Sequence, residues 1–494
     1  MLKIAASPAN YLRLGASGFL CGVALASFLP VVVFDKLWIW SLLVAVSLVF
    51  FVSIKFDYFR WSLVALFFVV GIWRFAWDYS QSQAVINLPN GLYNAEAEIV
   101  ESPRWVRGGQ ELIVDLASGS KRNLISVKTG YSQAYQAGQR IWLKCRLRKT
   151  ENNQSYLRAR DLASACYQAE ITVLDSRMSW LAKLRVYLAE SISKVSPEPA
   201  AALATAMLFG QRHALSPFLL KSFSDSGLSH LIAISGMNIS LLVWLMMLGA
   251  LAVGLSRRQA YYLTILLIGL FVVLVGAEAS VVRAALMGLL VISAPQVGRQ
   301  ANFKHILIVS AALMVLIKPT WLIFDLGFQL SFLALAGLVY FYSGLELCFE
   351  KLIVTWPEWL MRIVKVPMVI VIATVSAQLL TLPLLAWRFG YLSMVSIPAN
   401  VMTVWTMPLV MIGGLIATLM SLLSDWLGLL AWLPMGLLLD YIIWVSNYFA
   451  SWPSATWQIP DWAALLLVLL YIPEYYLAKY LALVVASSDR KQFL

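Results

Sequence analysis

The sequence runs to 494 residues, of which 61% are hydrophobic and only 13% charged, with a mean hydropathy of +0.78. A water-soluble globular chain has no means of hiding that much apolar surface, so the soluble classes are excluded and the bilayer is the expected solvent. The formal net charge of +12 is what Lys and Arg collected in cytoplasmic loops produce, and it is also compatible with a basic path for a polyanion.

Lys3 and Arg13 precede a first apolar run at 14–34, which Asp35 and Lys36 interrupt. A second run follows at 37–54, then the charged turn Lys55, Asp57, Arg60, then a third run at 61–77. Each approaches the roughly 20 apolar residues that a spanning helix needs. Residues 1–80 therefore read as about three transmembrane helices. The run after Arg13 is too long for a signal-peptide core and is soon followed by further spans, so no cleavable signal is expected. With a cytoplasmic N-terminus, three crossings place the next segment outside.

That segment, 90–175, is polar, with short alternating runs at 95–99, 112–116, 124–127, 140–147 and 167–174 between Gly and Asn. Five or six short strands predict a small extracytoplasmic barrel or sandwich. In the strand at 140–148, Ile141, Leu143, Cys145 and Leu147 share one face, and Trp142, Lys144, Arg146 and Arg148 share the other. A basic face with one aromatic suits a single-strand binder, and it is equally the make-up of a solvated strand face. Residues 178–196 then form an amphipathic helix. Leu181, Leu184, Leu188, Ile192 and Val195 lie on one stripe, with Trp180, Lys183 and Arg185 nearby. Such a helix either lies flat at the membrane surface or docks on the β domain.

From 198 to 486 the chain reads as a membrane bundle. Apolar runs recur near 228–255, 259–276, 280–297, 305–318, 322–343, 366–387, 394–421, 427–449 and 462–484. Arg257–Arg258, Arg299–Lys304, Arg362–Lys365 and Arg490–Lys491 fall where this count predicts cytoplasm. The expected fold is a polytopic α-helical membrane protein of about 12 helices, both termini cytoplasmic, with an inserted small β domain. The run at 305–318 and the helix around Ala200–Phe209 are short enough to be partial spans.

Soluble-enzyme motifs are missing. There is no Gly-Lys pair for a P-loop, no H-x-H, no H-E-x-x-H and no C-x-x-C. His213, His230 and His305 are widely spaced, so neither a metal site nor a cofactor is expected. The information lies in polar residues within apolar runs, where an ionisable group is costly unless paired or hydrated. Ser235 and Asn238, three apart and close to His230, share a helix face, and Ser235-Gly236 is suited to kink or break the helix. The stretch reads as pathway lining, or as a small-residue contact with Asn238 bonding a neighbouring helix. Glu278 falls at the outer interface, while Arg283 lies deeper, beyond Ser280. Asp325 and Gln329, four apart, project from one face with Phe328 and Phe332, and Asp325 is a plausible counter-ion for Arg283. Gln378, Pro383, Arg388, Pro398 and Asn400 form a further set, whose prolines are suited to break helices and free carbonyls for a lumen. Arg388 is placed to snorkel to the interface.

Taken in order, Leu208-Phe209-Gly210 through Leu215-Ser216-Pro217, Gly227–Asn238, Ser280–Met287, Asp325–Phe332, Ala377–Pro383 and Pro398-Ala399-Asn400 resemble the ComEC-type DNA channel family of bacterial natural competence. The resemblance covers roughly residues 198–415, and the β insert is similar to that family's extracytoplasmic OB-like domain. It implies a non-enzymatic role in the cytoplasmic (inner) membrane, carrying one strand of incoming DNA inward during transformation. Implied partners are single-stranded DNA, membrane lipid, a periplasmic or surface DNA receptor, a cytoplasmic helicase or ATPase, single-strand DNA-binding proteins, and a second copy of the chain. Asn238 stands where the family often has His. Many members also carry a C-terminal metallo-β-lactamase-like domain. This sequence shows no H-x-H-x-D-H, so strand degradation is expected of a separate nuclease. Family members can hold a disulfide in the β domain, for which Cys145 and Cys166 are the candidates. Cys166 shares parity with Gln168, Glu170 and Thr172, so a bulge or strand end is needed to turn it toward Cys145. Two rival readings are a secondary transporter of a small solute and a membrane-embedded enzyme on lipid-linked substrates using His230, Glu278 and Asp325. No repeat links the two halves, and a transporter leaves the β insert unexplained.

Overall fold

The computed structural model describes residues 8–28, 59–83 and 91–492, apart from 101–102, 107–108, 117–123, 131–134, 136–137, 149–161, 163, 176–179, 278, 297, 299, 354 and 461–466. The expected run at 37–54, Glu278 and the start of the run at 462–484 lie outside the described residues. Among the described residues nine helices are long and apolar enough to cross a membrane, and helices 200–209 and 303–317 are apolar but shorter. With the composition, this makes the chain a multi-pass membrane protein. It divides into two units, 1–182 with 289–329, and 183–288 with 330–494.

In the first unit, helices α1 (Pro8–Phe28) and α2 (Phe59–Gln83) pack through glycines. A Cβ on Gly18 would stand 2.5 Å from the Val64 carbonyl oxygen, and Cβ atoms on Gly22 and Gly71 would run into the Phe68 and Phe19 carbonyls. Small residues one turn apart are what allow two apolar helices to approach this closely without a hydrophobic driving force. Helices α10 (Phe303–Ile317) and α11 (Trp321–Phe324) belong to the same unit. Arg74 of α2 donates to the carbonyls of Leu316 (2.8 Å) and Ile317 (2.6 Å) and so satisfies the open C-terminal end of α10.

The insert has six strands: β1 (Gly91–Ile99), β2 (Arg104–Val106), β3 (Gly109–Leu116), β4 (Leu124–Thr129), β5 (Arg140–Arg148) and β6 (Ser164–Asp175). Their order is β1-β5-β6-β4-β3-β2, and β1 also pairs with β3, so five strands close on themselves and β2 hangs on β3. Every pairing is antiparallel except β4 with β6. Closure removes the long exposed edges that alternating strands otherwise leave. The period-two reading of β5 holds: Ile141, Leu143 and Cys145 are buried, and Trp142, Lys144 and Arg146 are exposed. The three-residue β2 has too little sequence to alternate and gave no signal.

Lys144 pairs with Glu170 and Arg146 with Tyr167, so two steps along β5 take three along β6. The extra residue is a bulge, and it reverses the parity of the strand beyond it. Cys166 is thereby turned into the barrel core, where it is bonded to Cys145 across a Cα separation of 6.0 Å.

The second unit is helical. Helix α3 (Trp180–Val195) leads into it and buries Leu188 and Ile192 in its core, while Trp180, Leu184 and Tyr187 remain exposed. Helix α4 (Ala200–Phe209) is buried at all ten residues. A helix apolar all round must be enclosed all round. At 1.5 Å per residue α4 is only about 15 Å long and does not span. It packs against α15 (Met407–Leu423) and α16 (Asp425–Ala450). The other elements are α5 (Pro217–Asp225), α6 (Ser229–Ile232), α7 (Gly236–Ala252), α8 (Arg257–Val275), α9 (Ala279–Gln296), α12 (Leu326–Ile353), α13 (Glu358–Phe389), β7 (Tyr391–Ser393), α14 (Ser396–Thr403), β8 (Thr456–Gln458) and α17 (Tyr471–Gln492). Strands β7 and β8 pair antiparallel. Arg185 of α3 donates to the Leu274 carbonyl at 2.6 Å and closes the end of α8.

Pro383 does not break its helix. It lies inside the continuous 32-residue α13, and Pro398 lies inside α14. A proline still withholds one amide from the helix ladder. One carbonyl in this stretch, that of Leu380, accepts from the Tyr471 hydroxyl at 3.0 Å.

Candidate functional site

The expected pathway residues of the second unit gather around two features, a glycine turn after α5 and a break between α6 and α7. Helix α5 starts at Ser216, whose Oγ accepts from the Leu219 amide at 3.2 Å, and it ends at Ser226-Gly227. Gly227 has φ +76°, and a Cβ there would stand 2.5 Å from Cβ of Ser396 and 3.1 Å from Oγ of Ser393. Only glycine meets both demands. Hydroxyls lock the contact. Ser393 Oγ donates to the Asp225 carbonyl at 2.8 Å, and the Ser224 and Tyr391 hydroxyls are 2.7 Å apart. The Ser226 and Ser446 hydroxyls are 3.3 Å apart. Gln378 Nε2 donates to Ser396 Oγ at 2.8 Å, so Gln378 joins this node. Asn400, one turn along α14 from Ser396, is buried, and its Oδ1 has no partner among the described residues. Burial raises the Asp225 carboxyl above the usual carboxylate range, and Lys221 offsets part of that.

The second feature is the interruption of an apolar segment. Helix α6 stops at Ile232, Ala233 and Ser235 are extended, and α7 restarts at Gly236. Ser235 is the N-cap: its Oγ accepts from the Asn238 amide at 3.4 Å and donates to Asn238 Oδ1 at 3.2 Å. Ser235 and Asn238 therefore touch, though by cap geometry and not as two positions on one helix face. Asn238 is 1% exposed, and its Nδ2 has no partner among the described residues. His230 and Gly236 are exposed on either side of the break.

The remaining candidates have different surroundings. Arg283 of α9 is buried at 5% exposure. Asp325 separates α11 from α12, and its carboxylate accepts from the Phe328 amide, capping α12. Gln329 Nε2 donates back to the carbonyls of Leu322 (3.1 Å) and Ile323 (2.7 Å). The helix break at Asp325 thus replaces the single helix face expected for the two, and both serve the junction itself. Pairing of Asp325 with Arg283, which lies in the other unit, is open to a charge-reversal test: Arg283→Asp with Asp325→Arg restores function only if the two are partners. Arg388 is exposed and stands 4.6 Å from the centre of the Trp387 ring. His305 sits beside Asn10 at 3.4 Å. Among the described residues no three His, Cys, Asp or Glu are grouped to hold a metal ion.

On the barrel, the outward face of β5 is not purely basic. Lys144 Nζ lies 3.1 Å from Glu170 of β6. Trp142 stands opposite Glu96 of β1, and Arg140 opposite Glu98. The hydroxyls of Ser224, Tyr391, Ser393, Ser396 and Ser446 were not legible as site residues, because nothing local distinguishes them from other serines and tyrosines in apolar helices.

A family model described as Competence protein matches residues 207–483, more than half of the chain. ComE operon protein 3 of Bacillus subtilis (strain 168) is 27% identical over 221 residues, 45% of this chain. The matched part covers 26% of that relative, so the chain aligns with about a quarter of its length. No solved structure matches.

Proposed function

We propose, on the premise that this chain belongs to the Competence protein family, that it carries single-stranded DNA across the cytoplasmic membrane during natural transformation. The observation that carries the reading is the broken helix at Ser235-Gly236, inside an apolar segment long enough to span. Broken backbone at membrane depth is stable where packed protein satisfies it or where it lines a water-filled path, and the transport reading takes the second. A conduit for a polyanion with any base sequence calls for neutral and cationic donors, not for base-reading pairs. Ser235, Asn238, Gln378 and Asn400 supply amides and hydroxyls, and Arg283 supplies a buried cation.

In this reading the barrel is OB-like and lies outside the cytoplasmic membrane, and both termini lie in the cytoplasm. The closed five-stranded order with one parallel pair supports the OB-like assignment. The barrel would receive the strand from a surface or periplasmic receptor. A cytoplasmic helicase or ATPase and single-strand DNA-binding proteins would draw it in, and a separate nuclease would remove the other strand. The chain itself transports and does not catalyse.

The test is a clean deletion in a competent strain, complemented with wild type. Transformants should disappear while DNA captured outside the cytoplasmic membrane, protected from added nuclease, persists; wild type should restore them. Undiminished transformation in the deletion would sink the reading and bring the solute transporter forward.

A further inference from the structure

The exposed side of α16 carries a row of rings. Tyr441, Trp444 and Tyr448 follow one another at steps of three and four residues, the spacing that sets side chains on one helix face, and Trp452 continues the row just past the end of the helix. Each ring touches the next. Centroids are 6.2 Å apart from Tyr441 to Trp444, 5.5 Å from Trp444 to Tyr448 and 5.9 Å from Tyr448 to Trp452. The Trp444 and Tyr448 planes lie within 18° of parallel. Trp405, in the turn between α14 and α15, extends the row at 6.2 Å from Tyr441. Trp405, Trp444, Tyr448 and Trp452 are each about half exposed. The Tyr441 hydroxyl donates to the Met402 carbonyl at 3.0 Å, whereas the Trp444 indole N–H and the Tyr448 hydroxyl have no hydrogen-bond partner among the described residues.

An aromatic belt gathers rings at one level, that of the lipid headgroups. This row runs along the helix axis instead: Tyr441 to Tyr448 is about 10 Å at 1.5 Å per residue, and Trp452 lies beyond.

Asp440 argues against a lipid-facing surface. It stands one turn before Trp444 on the same face, in the middle third of the 26-residue α16. It is exposed and has no ion-pair partner among the described residues. The sequence holds no Lys, Arg or His between Arg388 and Lys479. A carboxylate turned toward hydrocarbon at that depth is costly, and such groups face a wet path or a partner. A second copy related by a twofold axis through this face would set its own Asp440 toward this one and bring no cation with it.

We propose that Asp440, Trp444, Tyr448 and Trp452, flanked by Tyr441 and Trp405, form a wall that receives the bases of a single nucleic-acid strand. The proposal rests on the transport reading above and adds to it the side of the path that meets the bases. Rings accept any base by stacking, because every base has a π-face. The Asp440 carboxylate accepts from the N–H groups on base edges, as acidic side chains do from cytosine, and it repels phosphate. The strand is thereby turned with its bases to α16 and its backbone away from it.

The test uses the full chain in nanodiscs, with a fluorescent oligodeoxynucleotide and an abasic strand of the same length as probes. Replacing two rings together, Trp444→Leu with Tyr448→Leu, should weaken the oligonucleotide by about tenfold or more, the worth of stacking lost from one base or two. Binding of the abasic strand should not change. Asp440→Asn removes the repulsion and should strengthen the abasic strand by about twofold or more. Oligonucleotide affinity within about twofold of wild type in the double-leucine variant would overturn the wall and leave a lipid-facing stripe. A measurement on wild type alone covers the case of a variant that does not fold. Irradiated with a bromodeoxyuridine-substituted probe, the chain should crosslink at Trp444, Tyr448 or Trp452, and crosslinks confined to other positions would overturn the proposal. Native mass spectrometry showing two chains per particle in wild type and one in the double-leucine variant would give the stripe to a second copy and overturn it likewise. The two readings fail separately. Normal transformation in the deletion strain with ring-dependent probe binding removes only the transport role. Abolished transformation with variant-insensitive binding removes only the wall.

Discussion

On strand β5 the cations stand among carboxylates. Lys144 is paired with Glu170, and Glu96 and Glu98 face the same strand from β1. At the start of α7 the donors are neutral amides, and no acidic residue lies on α7 or on the two helices packed against it in its own unit, α8 and α15. A polyanion approaching the barrel gains from Lys144 and Arg146 and loses to their neighbours, and exposed pairs are screened by salt. At the break Asn238 is 1% exposed, and a buried donor is worth more to an arriving phosphate than one in water. Residue type along one strand therefore says less about anion recognition than the company the strand keeps.

The sharpest way to break this comparison is to put a carboxylate into each region. Asn238→Asp should cut transformation by about 100-fold, because an unpaired charge at a buried position costs several kcal/mol. Lys144→Glu, on the barrel, should cut it by less than about threefold, as expected for a surface pair. Equal losses would erase the distinction. Removing the disulfide with Cys145→Ser should cost the barrel about 3 kcal/mol, seen as faster protease cleavage within 91–175 in the full chain. If cleavage is unchanged, the bond carries none of the barrel's stability.

Two glycines offer a smaller contrast within one unit. Gly227→Ala should lower stability by about 2 kcal/mol, from its positive φ and the crowding against Ser396. Gly236→Ala should be neutral or raise stability by up to about 1 kcal/mol, since the space beside it is open and the unfolded chain loses freedom. Thermal melts of the two purified variants decide it, and a reversed order would contradict the packing described. Smallest of all, Lys144→Ala should change stability by no more than about 0.5 kcal/mol.

The same two regions show what a sequence reveals. Period-two alternation located five strands and the buried side of β5, because strand geometry fixes side-chain direction from neighbours in sequence. It did not reveal Glu96 or Glu170 beside Trp142 and Lys144, since pairing partners are set by barrel closure. Cys166 had the wrong parity until the bulge opposite Lys144–Arg146 turned it inward. In the bundle, Ser235-Gly236 announced a break, and a break is what the chain has. Asp325 and Gln329 looked like one helix face because their spacing is helical, and the start of α12 at Leu326 separates their roles. The hydroxyl contacts around Gly227 join residues more than 160 positions apart, and no local pattern carries that information.

The most direct measurement is site-specific photo-crosslinking during uptake, with a photoreactive residue at Met237, exposed beside the break, or at Trp142 on the barrel. With labelled DNA entering competent cells, the account predicts crosslinks from Met237 to single-stranded DNA that vanish when uptake is blocked. Efficient transformation with crosslinks only from Trp142, or from neither position, would contradict it.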